Sequence, residues 1–255
     1  MLFAVLPEIS FGWGPEGHEI VARIAQFYLT DNAKQQVSGI LHGSTDLAAI
    51  ANWADQVRPQ RPDTAKWHFI DIPRTADSID PARDCDSANC VTEQAKRFAA
   101  ILSGSASGDK EEALKFLVHF MGDMHQPLHC ANDNDRGGND VHVNFLGDGH
   151  TNLHKVWDSG LLGQMDDQDQ LTADLITAIT PANKLAWSQG APDDWALESH
   201  DKAVSVAYKN VPKRAGRRLP TLDESYEAAA DPVVTEQLQK AGFRLAMVLN
   251  QAIGQ

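Results

Sequence analysis

The sequence predicts a single, mainly α-helical domain with one small β element. Apolar residues recur at helical spacing through most of the 255 residues. Only the stretch 140–146 alternates apolar and polar residues as a half-buried strand does. No internal repeat or low-complexity linker divides the chain, and a length of this order can be served by one core.

Ile20, Ile24 and Phe27 share one face of a helix expected over 17–29. Thr30, or Asp31 after it, can N-cap a second helix running to residue 41. Helical spacing returns over 48–57, 92–102 and 110–125, the last stopped at Gln126 by Pro127. In the strand, Val141, Val143 and Phe145 alternate with His142 and Asn144. Further helices are expected over 151–162, 169–179, 196–208 and 234–253. Loops rich in Pro, Gly and Asp fill 58–63, 73–89, 131–139 and 211–223.

Composition narrows the function classes. With 42% hydrophobic and 22% charged residues the chain is ordinary globular protein, not a disordered, collagen-like or disulfide-dense one. No apolar run approaches the ~20 residues that span a bilayer. The 22 Lys+Arg against 35 Asp+Glu give a net charge of −13, which excludes a protein coating nucleic acid with a basic surface. Residues 1–12 contain the apolar run MLFAVLP but no Lys or Arg. That reads as a truncated secretory signal or a late start, and alone supports export weakly. Cys85 and Cys90, five apart in loop sequence, permit either a local disulfide or two reduced thiols. Cys130 reads as a small buried filler.

The chemistry lies in the ten histidines and their neighbours. In LVHFMGDMHQPLH, His119 and Asp123 stand four apart on one helix face, and His129 follows in the turn. NLHKVWD repeats the spacing with His154 and Asp158. WGPEGH supplies His18, NWAD supplies Asp55, and KWHFIDIP supplies His68. Any one of these reads alone as a core histidine or a cap. As a set they read as nitrogen and oxygen ligands for Zn²⁺, favoured over Mg²⁺ by the imidazoles and over an iron–sulfur cluster by the lack of a cysteine cluster.

The ordered motifs WGxxGH, NWAD, WHFID, HFxGDxxQPLH, GGND and NLHxxWDSGL resemble the S1/P1 nuclease family, zinc enzymes sharing a helical fold with bacterial zinc phospholipase C. The resemblance runs from Trp13 to about residue 250 and makes 13–255 the nuclease domain. It implies three zinc ions. Asp55, His68 and His119 match the ligands of the first, and His129, His154 and Asp158 those of the second. His18, Asp123 and the α-amino nitrogen and carbonyl oxygen of Trp13 match the third, with Asp123 bridging to the first. The last set requires Trp13 to be the N-terminus, so residues 1–12 would be a cleaved signal remnant and the enzyme secreted or periplasmic. A Cys85–Cys90 disulfide is implied on the same ground.

The implied reaction cleaves single-stranded DNA, RNA and 3′-nucleotides to 5′-phosphates, by attack on phosphorus of a hydroxide bridging two metals. Asp55 and Arg58 match positions that orient the nucleophile and neutralise the phosphate; Phe69 and Asp71 match a base stack and its carboxylate. From the residues alone, Phe69 reads also as core, Asp71 as a turn cap and Arg58 as a solvated arginine. The rival readings are a zinc phospholipase C and a non-catalytic zinc-binding protein. A monomer without membrane attachment is expected, and the lack of an Asn-x-Ser/Thr acceptor favours a bacterial member.

The remaining features read as structural. His125 faces away from Asp123, His142 fills the polar strand face, and His42, His150 and His200 lie on the surface. Asn139 and Asp140 hold the site loop. The run Lys209, Lys213, Arg214, Arg217, Arg218 reads either as a nucleic-acid patch or as a solvated loop, and the segment matches no family pattern, which favours the loop. Removing residues 1–12 takes away Glu8 and leaves −12, yet three Zn²⁺ against Asp55, Asp123 and Asp158 leave the site itself at about +3. An acidic chain is thereby compatible with a nuclease that carries its positive charge in metal.

Overall fold

A computed structural model describes residues 12–146, 149–165 and 167–255. The expected signal remnant, apart from Gly12, lies outside the described residues. The helices are α1 (Pro15–Tyr28), α2 (Asp31–Ile40), α3 (Trp53–Val57), α4 (Pro81–Asp84), α5 (Val91–Ser103), α6 (Lys110–His125), α7 (Leu153–Lys155), α8 (Gln168–Ala178), α9 (Pro181–Trp187), α10 (Pro192–Lys202) and α11 (Glu224–Ile253). A three-stranded sheet has the order β2 (His150–Asn152), β1 (His142–Phe145), β3 (Thr221–Leu222), antiparallel then parallel. The mainly α expectation holds.

Helix α6 is the axis of the domain. Asp109 accepts from the amides of Glu111 and Glu112 to start it, and every residue from Phe116 to His125 is buried. Helices α5, α11, α3, α10 and α1 pack around it. Trp67, Phe98, Phe116 and Phe120 form an aromatic wedge on one side, with Phe98 and Phe116 stacked at 4.8 Å. Such a solid apolar surround is what lets one helix carry buried polar groups in fixed positions.

Several elements depart from expectation for identifiable reasons. Helix α11 starts at Glu224, ten residues early, capped by Asp223 and running through Pro232; proline inside a helix masks the pattern because it removes one hydrogen bond. Pro181 and Pro192 at the first helical positions start α9 and α10, the former with a Thr180–Asn183 capping box. The 48–57 segment breaks after a 3-10 turn, Ala48–Ile50, before α3 begins at Trp53. Thr151 and Asn152, expected as the start of a helix, belong to β2, and Asn152 then caps α7 by accepting from Lys155 N. His68 closes the 3-10 turn Pro62–His68. Phe27 does not join Ile20 and Ile24 in the core; it is 61% exposed and edge-on to Tyr28. His200 is not on the surface: it is buried, its ring nitrogens against the carbonyls of Cys130 and Ala76.

Cys85 and Cys90 form a disulfide and Cys130 is free and buried. Among the described residues, no helix is long and apolar enough to cross a membrane.

Candidate metal centre

The heptapeptide from His119 to His125 is continuous helix, so His119 and Asp123 project from one side of α6 while His125 projects from another. His119 donates from Nδ1 to Ala51 O at 2.7 Å, a carbonyl turned toward it by the break before α3. That bond fixes the tautomer, leaving the Nε2 lone pair 3.6 Å from Asp55 Oδ1 and 3.3 Å from Asp123 Oδ2. His68, at the end of its 3-10 turn, places Nδ1 2.9 Å from Asp123 Oδ2 and 3.6 Å from Asp55 Oδ1. The other oxygen of Asp123 lies 3.5 Å from His18 Nε2.

His18 comes from the first turn of α1 and stacks on His119, ring centroids 3.9 Å apart. Gly122 makes this possible. A Cβ there would stand 2.6 Å from His18 Nδ1. Ala is worth about 1 kcal/mol over Gly in a helix interior, but overpacking costs typically 1–3 kcal/mol, so overpacking wins here. Gly122→Ala is expected to lower stability by about 1–2 kcal/mol and to displace His18, costing one equivalent of bound metal; thermal unfolding with metal analysis checks both.

A second group sits beside the first. His129, in the 3-10 turn Pro127–Cys130, donates from Nδ1 to His68 O at 2.7 Å. His154 donates from Nδ1 to Gly137 O at 2.6 Å. Both rings then turn Nε2 lone pairs toward each other at 3.2 Å, and Asp158 Oδ1 lies 3.4 Å from His154 Nε2. Two acceptors at that distance are compatible only through a shared proton or a shared cation. His154 and Asp158 keep their one-turn relation although α7 passes into a π-turn, Val156–Gly160. The GGND loop has a steric reason to be glycine here: Gly137 adopts φ +63°, and a Cβ on it would stand 2.5 Å from Leu128 O. Asn139 and Asp140 brace the same loop through the Arg136 carbonyl and guanidinium.

The described residues thus contain three sets whose ligand atoms lie within 4.8 Å of one another: His18/His119/Asp123, Asp55/His68/His119 and His129/His154/Asp158, all buried. The fit to metal is tested by what the protein leaves unsatisfied. His18 Nδ1 and Nε2, Asp55 Oδ1, His68 Nε2, His119 Nε2 and Asp123 Oδ1 are buried without hydrogen-bond partners. Each such atom costs on the order of 1–3 kcal/mol, and so many in one place fit bound cations. Imidazole nitrogens with carboxylate oxygens form a donor set for divalent transition metal. Trp13 is fully buried beside this group, and Gly14 N donates to Asp158 O at 2.6 Å. A side chain on Gly12 would collide with Asp123 Oδ1 and stand 2.9 Å from His18 Nε2, so the chain at residue 12 lies directly against these donors.

Burial holds His18, His68 and His129 neutral well below the ordinary 6.5, reinforced by the neighbouring rings, and holds His125 down with help from Arg244. Burial raises the Asp123 carboxyl from 3.8 to about 8. In metal-free protein the four rings give stability that is lost as pH falls through 6.5, where their unfolded counterparts take up protons. Asp123 acts oppositely, losing stability as pH rises from 3.8 to about 8, where only the unfolded carboxyl has ionised. Four rings outweigh one carboxyl below 6.5, and the carboxyl acts alone above it. The unfolding temperature of chelated protein is expected to peak at about pH 7 and fall on both sides, as calorimetry at stepped pH would show.

The cluster opens into a cavity of about 520 Å³ whose wall includes His68, His129 and His154 with Arg58, Phe69, Asp71 and Asn132. Arg58 Nη1 lies 4.0 Å from Asp55 Oδ1. Phe69 is half-buried, with its ring on the cavity rather than in the main core. Asp71 Oδ1 accepts from Asn132 Nδ2 at 2.8 Å, and burial raises its carboxyl pKa. The eight His and Asp side chains expected as ligands therefore meet, and Arg58, Phe69 and Asp71 line the adjoining cavity.

Sequence reasoning missed the supports. Gln126 donates to Asp158 Oδ1 at 2.6 Å while its own oxygen accepts from Leu128 N, linking the end of α6 to the second group. Asn132 orients Asp71. The carbonyls of Ala51, His68 and Gly137 fix three tautomers, and a backbone atom leaves no signature in sequence.

Fold and site together define a mainly helical domain built around a buried cradle of metal-type ligands. A family model described as S1/P1 Nuclease matches residues 13–254. Endonuclease 2 of Arabidopsis thaliana is 31% identical over 95% of this chain and 91% of its own length. Nuclease S1 of Aspergillus oryzae is 31% identical over 96% and 93%, and nuclease P1 of Penicillium citrinum 33% identical over 95% and 98%. The chain belongs to the S1/P1 nuclease family.

Proposed function

We propose that this chain is a zinc-dependent nuclease and 3′-nucleotidase, hydrolysing single-stranded DNA and RNA to products with 5′-phosphates. The observation that carries the reading is the clustering of three buried nitrogen–oxygen sets, two of which reach the wall of one cavity through His68, His129 and His154, where an aromatic ring and a carboxylate are also presented. Asp55, His68 and His119 hold one zinc, and His129, His154 and Asp158 a second. His18 and Asp123 hold a third with the α-amino nitrogen and carbonyl of Trp13, Asp123 facing the first as well. Bound zinc supplies a water of lowered pKa and a positive field for the phosphoryl oxygens.

The chain's own residues do the rest. Arg58 donates to a phosphate oxygen across the cavity from Phe69, and Asp55, beside it, orients the attacking water. Phe69 stacks one base, while the Asp71 oxygen not taken by Asn132 accepts from its edge. A base can reach this ring only when it is out of a duplex stack, which selects single strands. The enzyme acts as an exported monomer after loss of residues 1–12. Gly12 against Asp123 and His18, the family match beginning at residue 13, and a disulfide suited to an oxidising compartment support that reading.

The test is turnover on single-stranded DNA, RNA, a 3′-nucleotide and phosphatidylcholine, before and after chelation and after zinc is restored. Lipid cleavage without DNA cleavage, or activity surviving full metal removal, would overturn the proposal. Phe69→Ala is expected to raise KM for single-stranded DNA by about 5- to 150-fold, since a base–aromatic stack is worth ~1–3 kcal/mol, with kcat less affected.

A further inference from the structure

Within 203–222 the chain has five cations, Lys209, Lys213, Arg214, Arg217 and Arg218, and no acidic residue, although the whole protein carries −13. All five are exposed. None joins a salt bridge among the described residues, whereas Arg23, Arg61, Arg74, Arg83, Lys96, Lys115, Arg136, Lys202, Lys240 and Arg244 all do. With Arg58, half of the 22 cations are paired with a carboxylate among the described residues, whereas this run of five has no such pair.

Both ends of the segment are tied to the frame of the cavity. At its start, Tyr208 is buried and donates to Asp135 Oδ1 at 3.0 Å, with the Arg74 guanidinium 4.3 Å over its ring. Asp135 belongs to the loop that gives Asn132, Arg136, Gly137 and Asn139 to the cavity wall. At its end, Pro220 O accepts from Asn144 N and β3 pairs with β1 at Asn144 and Phe145. Asn144 is five residues from Asn139, hence within about 17 Å of the wall along an extended chain. The segment that carries the bare charge is thus anchored at both ends to elements that frame the cavity.

We infer that the 209–218 loop binds the phosphodiester backbone of the single strand where it leaves the cavity, giving an acidic enzyme its grip on polynucleotides longer than the cavity can hold. This rests on the nuclease reading above. A polyanion approaching a net-negative protein is repelled except where local positive charge steers it. The loop has no aromatic residue and no exposed large apolar one, so it lacks what a membrane-inserting segment needs.

The experiment compares parent enzyme with the variant Lys213→Ser/Arg214→Ser/Arg217→Ser/Arg218→Ser on a 30-nucleotide single strand and on a 3′-nucleotide, over a salt series. The long substrate is expected to lose about 10-fold or more in kcat/KM near 0.1 M salt, and the slope of log(kcat/KM) against log[salt] to flatten by about 1.5–3, at roughly 0.7 for each phosphate no longer neutralised. The 3′-nucleotide is expected to be cleaved as before, which also reports intact folding. Arg214→Lys/Arg217→Lys/Arg218→Lys, which keeps the charge, is expected to keep the parent's slope. A slope unchanged within about 0.7, or equal losses on both substrates in a folded variant, would overturn the inference. So would sedimentation of the parent with phosphatidylserine vesicles, abolished in the serine variant, while its kinetics on the long strand stay unchanged. A parent inactive on both substrates would overturn the nuclease reading instead.

Discussion

Asp123→Asn is expected to cut bound zinc from three equivalents to one and to lower hydrolysis of single-stranded DNA by at least about 10³-fold. Its two carboxylate oxygens face different partners: Oδ2 lies 2.9 Å from His68 and 3.3 Å from His119, while Oδ1 lies 3.5 Å from His18. One side chain therefore joins two of the three sets. Asparagine keeps the shape but loses the charge, and a buried cation without its carboxylate loses most of its compensation. A catalytic metal contributes several kcal/mol of transition-state stabilisation, and each 1.36 kcal/mol is a factor of ten, so losses of 10³ or more follow. His125→Gln separates this from damage to α6. His125 is on the same helix and as deeply buried, but its Nε2 accepts from Arg244 on α11. That variant is expected to lose stability while keeping three equivalents. Metal analysis after desalting decides: an Asp123→Asn protein with three tightly bound ions and near-parent activity would remove Asp123 from the centre.

The contrast between Asp123 and His125 also marks how far the sequence could be read. Both are polar residues on a helix of apolar neighbours, and only the four-residue relation to His119 separates them. That relation was legible because helical geometry converts spacing into direction, and its repetition at His154 and Asp158 made it specific. His200 had no such relation, and its burial against two carbonyls is a tertiary fact. Helix α11 was half hidden by Pro232, since a local preference was overruled by packing along α1 and α6. The three carbonyls that fix the histidine tautomers are supplied by a break, a turn and a glycine loop. What the sequence could show was the ligand inventory; what it could not show was the backbone that aims each ligand.

The chain beginning at Trp13 is expected to bind three zinc equivalents, and one carrying an uncleaved Gly12 or longer extension only two, with activity at least about 10²-fold lower. The physical ground is the nitrogen itself. In a peptide the Trp13 nitrogen shares its lone pair with the Gly12 carbonyl, so it cannot serve as an amine ligand. The extension is also sterically committed, because residue 12 lies against Asp123 Oδ1 and His18 Nε2, the two side-chain donors of the same set. Deleting one residue thus both exposes an amine and clears the space in front of it. A start at Trp13 leaves the helix behind it untouched, since Pro15 opens α1 and Gly14 N is held by Asp158 O. The comparison needs two proteins differing only at the N-terminus, their starts confirmed by N-terminal sequencing and their zinc counted before assay. Equal zinc content and equal turnover in both would break the third site while leaving the other two sets intact. Loss of one equivalent with activity restored by excess zinc would instead place the α-amino group in affinity rather than in assembly of the centre. The expected result is that added zinc does not restore the extended chain, because the space is filled by backbone and not merely short of one ligand.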